Sequence, residues 1–421
     1  MLAAFAILPG RAVALDAPHT LRNARSATQH VTATRHTRKR KTAHVTRKSR
    51  STAHRSRTRA ASVKSHHRVA RRSRATLRRT SLHRRHRHYY ERFTASSFVT
   101  GPIGEGDITA GEDPVVRQAA IDALGDMNGT VVVINPANGR ILAMVNQKLA
   151  LSPGAEPCST IKISVALAAL SEGLVTRDTP VRLGGFRMNM TQAIAHSNNL
   201  YFEKMGRELG FERVRHYAME FGLGELAGYD IQGEQLGVYP DHPIPASEGG
   251  VGRMCSFGQG VSMTPLQLGA LVAAIANGGT LYYLQHPTTP EQVANFEPRV
   301  KRTLPIARYI PDLQDGMAGA VEYGTARRLR TNFQEWPVFG KTGTCSDKGT
   351  RFGWFVSYSD TPQGALVTVF FLEGGRPTFG PRAAELTGEF YRNLWDRNYF
   401  ADKGSQQARA EVPDSTLQGT H

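Results

Sequence analysis

Cysteine is scarce in these 421 residues: Cys158, Cys255 and Cys345 are all there are. A chain folded outside the reducing cytosol then has at most one intramolecular disulfide. Long apolar runs are missing as well. The opening Leu2-Ala-Ala-Phe-Ala-Ile-Leu8 is far shorter than the roughly 20 residues that span a bilayer, and no other stretch reads as a transmembrane helix. Acidic residues are nearly absent from the first 92 positions, where Asp16 and Glu91 stand against 25 Lys and Arg. That stretch carries +23, while the remaining 28 bases and 33 acids give −5. The net charge of +18 therefore belongs to one region. Any surface for polyanions lies there and not in the folded part.

Residues 1–18 read as a signal-peptide h-region, or the remnant of one, with Ala12-Val13-Ala14 as the cleavage signal and no positive n-region. This implies an extracytoplasmic (periplasmic or cell-surface) protein, membrane-associated at most through its N-terminus. From His19 to Arg92 the chain is almost wholly Arg, Lys, His, Ser, Thr and Ala, with Val31, Val45 and Leu77 scattered among them. Such a segment cannot bury enough apolar surface to offset chain entropy, which predicts a disordered basic linker over 19–92. Its charge suits an anionic membrane, cell-wall polymers or nucleic acid. One domain is expected over 93–402, followed by a polar tail over 403–421.

The folded part is organised around Glu156-Pro157-Cys158-Ser159-Thr160-Ile161-Lys162. Behind it run Ile163, Val165, Leu167 and Leu170 among alanines, up to Gly173. Apolar residues on all sides predict a helix in the domain centre. Ser159 and Lys162 are three apart and so share one helix face. Bringing a lysine from its ordinary pKa near 10.4 to about 7 takes roughly 4–5 kcal/mol of desolvation or like-charge repulsion. Burial of the helix start supplies it, and a neutral amine beside a hydroxyl makes a nucleophile of it.

Ser-x-x-Lys alone is a common spacing. Two further motifs follow it in order: Ser197-Asn198-Asn199 between two helical patterns, and Lys341-Thr342-Gly343-Thr344 in a strand-like run. The ordered set Ser-x-x-Lys, Ser-x-Asn, Lys-Thr-Gly marks penicillin-binding proteins and serine β-lactamases. The chain resembles a penicillin-binding protein transpeptidase domain, from about Gly129 to Tyr391. The segment Cys255 to Gly279 favours penicillin-binding proteins over the small secreted β-lactamases. No room remains in that span for a glycosyltransferase domain or a large N-terminal pedestal.

The resemblance implies an α/β (α+β) fold: a central, mainly antiparallel sheet flanked by helices, with an inserted all-α subdomain carrying the nucleophile helix and the Ser-x-Asn loop. Asp113-Pro114 opens a helix through Leu124. Gly129–Asn135 and Arg140–Val145 form a hairpin around Pro136-Ala137-Asn138-Gly139. Helices are expected over Asn189–Ala195, Leu200–Leu209 and Pro265–Ala276. Residues 210–250 carry no motif. Strands are expected at Trp336–Thr344, Gly353–Tyr358 and Ala365–Leu372, the last two joined through Asp360 to Gly364. A closing helix covers 380–397.

By resemblance, Ser159 attacks an acyl-D-alanine carbonyl and Lys162 takes its proton. Ser197 relays that proton to the leaving amine, and Asn199 fixes Lys162 and a substrate amide. Lys341 and Thr342 suit a terminal carboxylate. Gly343 lets a backbone approach closely, and the backbone N–H groups of Ser159 and Thr344 form the oxyanion hole. The implied activity is a D,D-transpeptidase or D,D-carboxypeptidase acting on D-Ala-D-Ala stem peptides and acylated by β-lactams, with no cofactor and no metal. A β-lactamase, a penicillin-sensing module, or a nucleic-acid-binding protein led by residues 19–92 are the alternatives. The chain has neither the Glu-x-x-Leu-Asn of class A lactamases nor the Tyr-Gly-Asn of class D, which points to slow deacylation. If Ser159 and Thr344 converge on one oxyanion, Cys158 and Cys345 are neighbours too and within reach of a disulfide, which would leave Cys255 as a buried thiol; three unpaired cysteines are the alternative. Some class A carbapenem-hydrolysing β-lactamases have a disulfide at the matching place.

Overall fold

Alternate residues of the inner sheet strands face two different cores, which is why residues 131–134 and 366–372 read as nearly continuous apolar runs. The structure, a computed structural model, describes residues 93–361 and 364–401. The apolar opening (1–18), the basic stretch (19–92) and the tail (403–421) lie outside the described residues. Helix α1 (Pro114–Leu124) is capped by Asp113, whose carboxylate accepts the N–H groups of Val115 and Val116, and it has Pro at its first position. Strands β1 (Gly129–Asn135) and β2 (Arg140–Val145) form the expected hairpin.

Next come α2 (Gln147–Ala150), a 3-10 turn (Cys158–Ile161) and α3 (Lys162–Ser171). A small ribbon follows, β3 (Val181–Leu183) with β4 (Phe186–Met188). Helices α4 (Met190–Ala195), α5 (Asn199–Leu209), α6 (Phe211–Glu220), α7 (Gly250–Phe257) and α8 (Pro265–Ala276) complete the helical part. A second ribbon, β5 (Thr280–Tyr282) with β6 (Val300–Thr303), encloses α9 (Pro290–Ala294). After α10 (Ile310–Glu322) the chain returns to the sheet with β7 (Val338–Asp347), β8 (Thr350–Thr361) and β9 (Gly364–Gly374), and closes with α11 (Gly380–Asp396).

The five-stranded sheet is antiparallel throughout, in the order β2-β1-β9-β8-β7. Val131, Val133, Phe355, Phe370 and Leu372 pack with α1 and α11 on one face. Val132, Ile134, Trp354, Val356, Val369 and Phe371 pack with α3 and α8 on the other. That second core continues into the helical subdomain through Tyr201, Phe202, Met205 and Met254. Strand β7 is an outer strand, so one backbone edge faces away from the sheet.

Three boundaries depart from the sequence reading. The α-helix begins at Lys162 and not before Ser159, because Cys158 has φ +51° and leaves Ser159 in a single 3-10 turn. Strand β7 starts two residues later than expected and runs on to Asp347, since pairing with β8 extends to Asp347–Thr350. The β8–β9 pair stays in register to Thr361–Gly364, so both strands run past the ends expected from the sequence. Within residues 210–250, which carry no motif, Phe211, Val214 and Ala218 are the buried stripe of α6. Among the described residues, no helix is long and apolar enough to cross a membrane.

Candidate active site

The 3-10 turn places Ser159 and Lys162 almost one above the other, as its three-residue period requires. Lys162 Nζ lies 2.7 Å from Ser159 Oγ. It also lies 2.7 Å from Asn199 Oδ1, 3.1 Å from the Ser197 carbonyl and 3.1 Å from Ser197 Oγ. The amine is fully buried, 5.7 Å from the centre of the Phe202 ring. Burial first, and then the charge of Lys341, pull its pKa down to about 6, with Glu203 opposing. At neutral pH the amine is thus mainly uncharged, with two N–H bonds and one lone pair. The Ser197 carbonyl and the Asn199 amide oxygen can only accept, so they take the two N–H bonds. The lone pair is left for a hydroxyl, and the Ser159 hydroxyl is the nearer.

The Ser-x-Asn loop divides its work by position. Ser197 has φ +54° between α4 and α5. Asn198 caps α5 by accepting the Tyr201 N–H at 3.0 Å. Asn199, the first residue of α5, is thereby turned toward Lys162. Lys341 reaches the same loop from β7. Its amine donates to Ser197 Oγ at 2.9 Å and to the Thr342 carbonyl at 3.0 Å. Burial pulls its pKa down to about 7. Ser197 Oγ therefore sits between two amines, at 3.1 and 2.9 Å.

Strand alternation sorts the rest of β7. Lys341, Gly343 and Cys345 face the nucleophile turn. A Cβ on Gly343 would stand 2.8 Å from the Pro157 carbonyl oxygen and 3.2 Å from Thr160 Cγ2, so the close approach this glycine permits is that of the nucleophile turn itself. Cys345 is bonded to Cys158, with Cα atoms 5.5 Å apart, and Cys255 is a buried free thiol. Thr342 and Thr344 hold the alternate positions, beside Thr325 and the start of α11. Thr342 Oγ1 lies 2.7 Å from Thr325 Oγ1, and Thr344 Oγ1 accepts the Gly380 N–H at 2.8 Å.

Ser159, Lys162, Ser197, Asn199 and Lys341 thus form one connected network, brought together from three separate stretches of chain. Sequence reasoning missed Phe202 beside the amine, Thr325 beside Thr342, and Trp354, whose Nε1 donates to the Glu156 carbonyl at 3.0 Å. No spacing marks them, because each acts across a tertiary contact.

Residues 129–391 match the family model of the penicillin binding protein transpeptidase domain. The chain belongs to this family. Among curated relatives it is 28% identical to stage V sporulation protein D of Bacillus subtilis, over 62% of this chain and 48% of that one. It is 25% identical to peptidoglycan D,D-transpeptidase MrdA of Acinetobacter baumannii, over 69% of this chain and 55% of that one. The chain spans about half the length of these relatives. The fold is similar to that of Pseudomonas aeruginosa PBP2 solved with WCK 5153, with a TM-score of 0.56 and 21% identity over 73% of this chain and 80% of the other.

Proposed function

We propose that the chain is a peptidoglycan D,D-acyltransferase, a D,D-transpeptidase or D,D-carboxypeptidase, that works through an ester on Ser159. The observation that carries this reading is a fully buried lysine amine with a pKa near 6, 2.7 Å from a serine hydroxyl. Ser159 Oγ attacks the carbonyl carbon of a D-Ala-D-Ala bond as its proton passes to Lys162. The backbone N–H groups of Ser159 and Thr344 receive the developing oxyanion, where one such donor is worth roughly 3–4 kcal/mol. The C–N bond then breaks. The departing amine takes its proton from Ser197 Oγ, which Lys162 resupplies, and an acceptor amine or water later opens the ester.

Lys341 and Thr342 hold the terminal carboxylate of the donor, and Asn199 keeps Lys162 and a substrate amide aligned. A β-lactam enters as a strained analogue of the same acyl donor. The site works outside the cytoplasm, where peptidoglycan lies, and the basic residues 19–92 hold it near anionic membrane or cell-wall polymers. Acylation with a labelled penicillin followed by peptide mass spectrometry tests the reading. A single adduct on Ser159, absent from Ser159→Ala, is expected; an adduct that persists in that variant overturns it. Release of D-alanine from a D-Ala-D-Ala peptide separates an enzyme from a sensor.

A further inference from the structure

Thr325 belongs to none of the three motifs, yet it touches two sides of the site. It follows the C-terminal end of α10, where its N–H donates to the Ala195 carbonyl at 3.1 Å, two residues before Ser197. Gly324 makes that seat flush, because a Cβ there would collide with the same Ala195 carbonyl oxygen. On its other side the Thr325 hydroxyl lies 2.7 Å from that of Thr342, which is itself almost fully buried. One residue is therefore fixed by its backbone to the end of α4 and by its side chain to strand β7.

We infer that Thr325 is a positioning residue that aims the Thr342 hydroxyl at the donor's terminal carboxylate. This role rests on the carboxylate contact proposed for Thr342 and follows from the hydrogens each hydroxyl has to give. Each threonine hydroxyl has one proton and accepts through lone pairs. A carboxylate accepts only, so Thr342 binds it by turning its own proton toward it. That leaves the Thr342 oxygen to accept, and the Thr325 hydroxyl, 2.7 Å away, rotates to donate to it. The resulting chain runs Thr325 O–H to Thr342 O–H to carboxylate, and each bond polarises the next. No proton changes owner and no bond is made or broken. With valine at 325 the Thr342 hydroxyl loses its second partner, and the seat on Ala195 stays.

The test compares acylation rates of wild type, Thr325→Val and Thr325→Ser with a penicillin and with its methyl ester, which lacks the carboxylate charge. Wild type is expected to react much faster with the acid. Thr325→Val should lose about fivefold with the acid, the scale of one hydrogen bond between neutral groups. With the ester it should stay within about twofold of wild type, and Thr325→Ser should restore the acid rate. The ester arm also reports the fraction of protein that is folded and competent. Equal losses on acid and ester, no loss on the acid, or no rescue by serine each overturn the inference. If wild type does not distinguish acid from ester, the carboxylate role of Thr342 fails first and takes this inference with it.

Discussion

The molecule buries two clusters of charge and treats them in opposite ways. Near the β1–β2 edge, Arg117 pairs with Asp107 and Glu112, each at 2.8 Å. Glu112 also accepts the Met144 N–H and meets His286 Nε2 at 2.9 Å. Burial lowers the Arg117 pKa, but bonds to Asp107 and Glu112 more than compensate, and the net shift is upward. In the active site Lys162 and Lys341 are fully buried, and their hydrogen-bond partners are hydroxyl, carbonyl and amide oxygens. No carboxylate bonds to either among the described residues. A buried cation with counter-ions stays charged and holds structure together. One without them gives up its proton, and in giving it up becomes a base.

The largest effect is expected where the unpaired amine is removed. Lys162→Met should lower the acylation rate by about 10³–10⁴-fold, because the base and the proton relay go together. The same change should raise stability at neutral pH. Holding a lysine neutral at pH 7 costs on the order of 4 kcal/mol, and the acceptors left unpaired return part of that. A net gain of about 1–2 kcal/mol is expected by urea unfolding. A variant that loses both activity and stability would show that Lys162 stabilises the fold as well as serving as base.

Arg117→Met should do the reverse. It strands Asp107 and Glu112 in the interior, a cost of about 3–5 kcal/mol for a broken buried pair. Acylation per folded molecule should stay within about twofold of wild type, since Arg117 bonds to none of the network around Ser159. Unfolding curves together with the penicillin-active fraction check both halves. A large loss of rate in the folded fraction would join the two clusters functionally.

The sites differ in how much of them the sequence displays. Ser159, Lys162, Ser197, Asn199 and Lys341 stood out in the sequence through short motif spacings, and the structure brings them into one hydrogen-bonded network. Helices α1 and α8 were legible to the residue because Asp113-Pro114 and Thr264-Pro265 are local caps with local partners. The Arg117 cluster was not, since Asp107, Glu112, Met144 and His286 meet only after the sheet forms. Thr325 escaped for the same reason. Gly343 was read as letting a backbone approach closely, and the backbone that approaches is the chain's own Pro157. Alternation told which face it lay on but not what covered that face.

The pH dependence sharpens the contrast further. Lys162 has its folded pKa lowered from 10.5 to about 6, so between those values the unfolded chain binds more protons than the folded one. From this group, stability therefore rises with pH across that window, and the penalty is complete below pH about 6. Acylation should climb about tenfold per pH unit up to that value as the amine loses its proton, and fall again above pH about 7 as Lys341 loses the charge that holds the donor carboxylate. The stability advantage of Lys162→Met should shrink as pH rises toward 10. Wild type and Arg117→Met should share the same acid limb of the rate profile, because Arg117 keeps its proton throughout.

The smallest effect concerns the rim that holds the site in place. Cys158 adopts φ +51° immediately before Ser159, a conformation that costs a non-glycine residue about 1 kcal/mol. Its bond to Cys345 closes 187 residues of chain, and loss of such a bridge typically costs about 2–4 kcal/mol. These two contributions can be separated. Cys158→Ser and Cys158→Gly, each combined with Cys345→Ser, both lose the bridge, but glycine accepts the left-handed backbone and serine does not. The glycine pair should be about 0.5–1 kcal/mol the more stable, less the flexibility glycine adds to the unfolded chain. Both should still be acylated within about threefold of wild type, because hydrogen bonds and packing, and not the disulfide, join Lys162 to Ser159 and Asn199. Equal stabilities would mean that the bridge, and not the turn, imposes the φ of Cys158, and that the backbone relaxes once the bridge is cut.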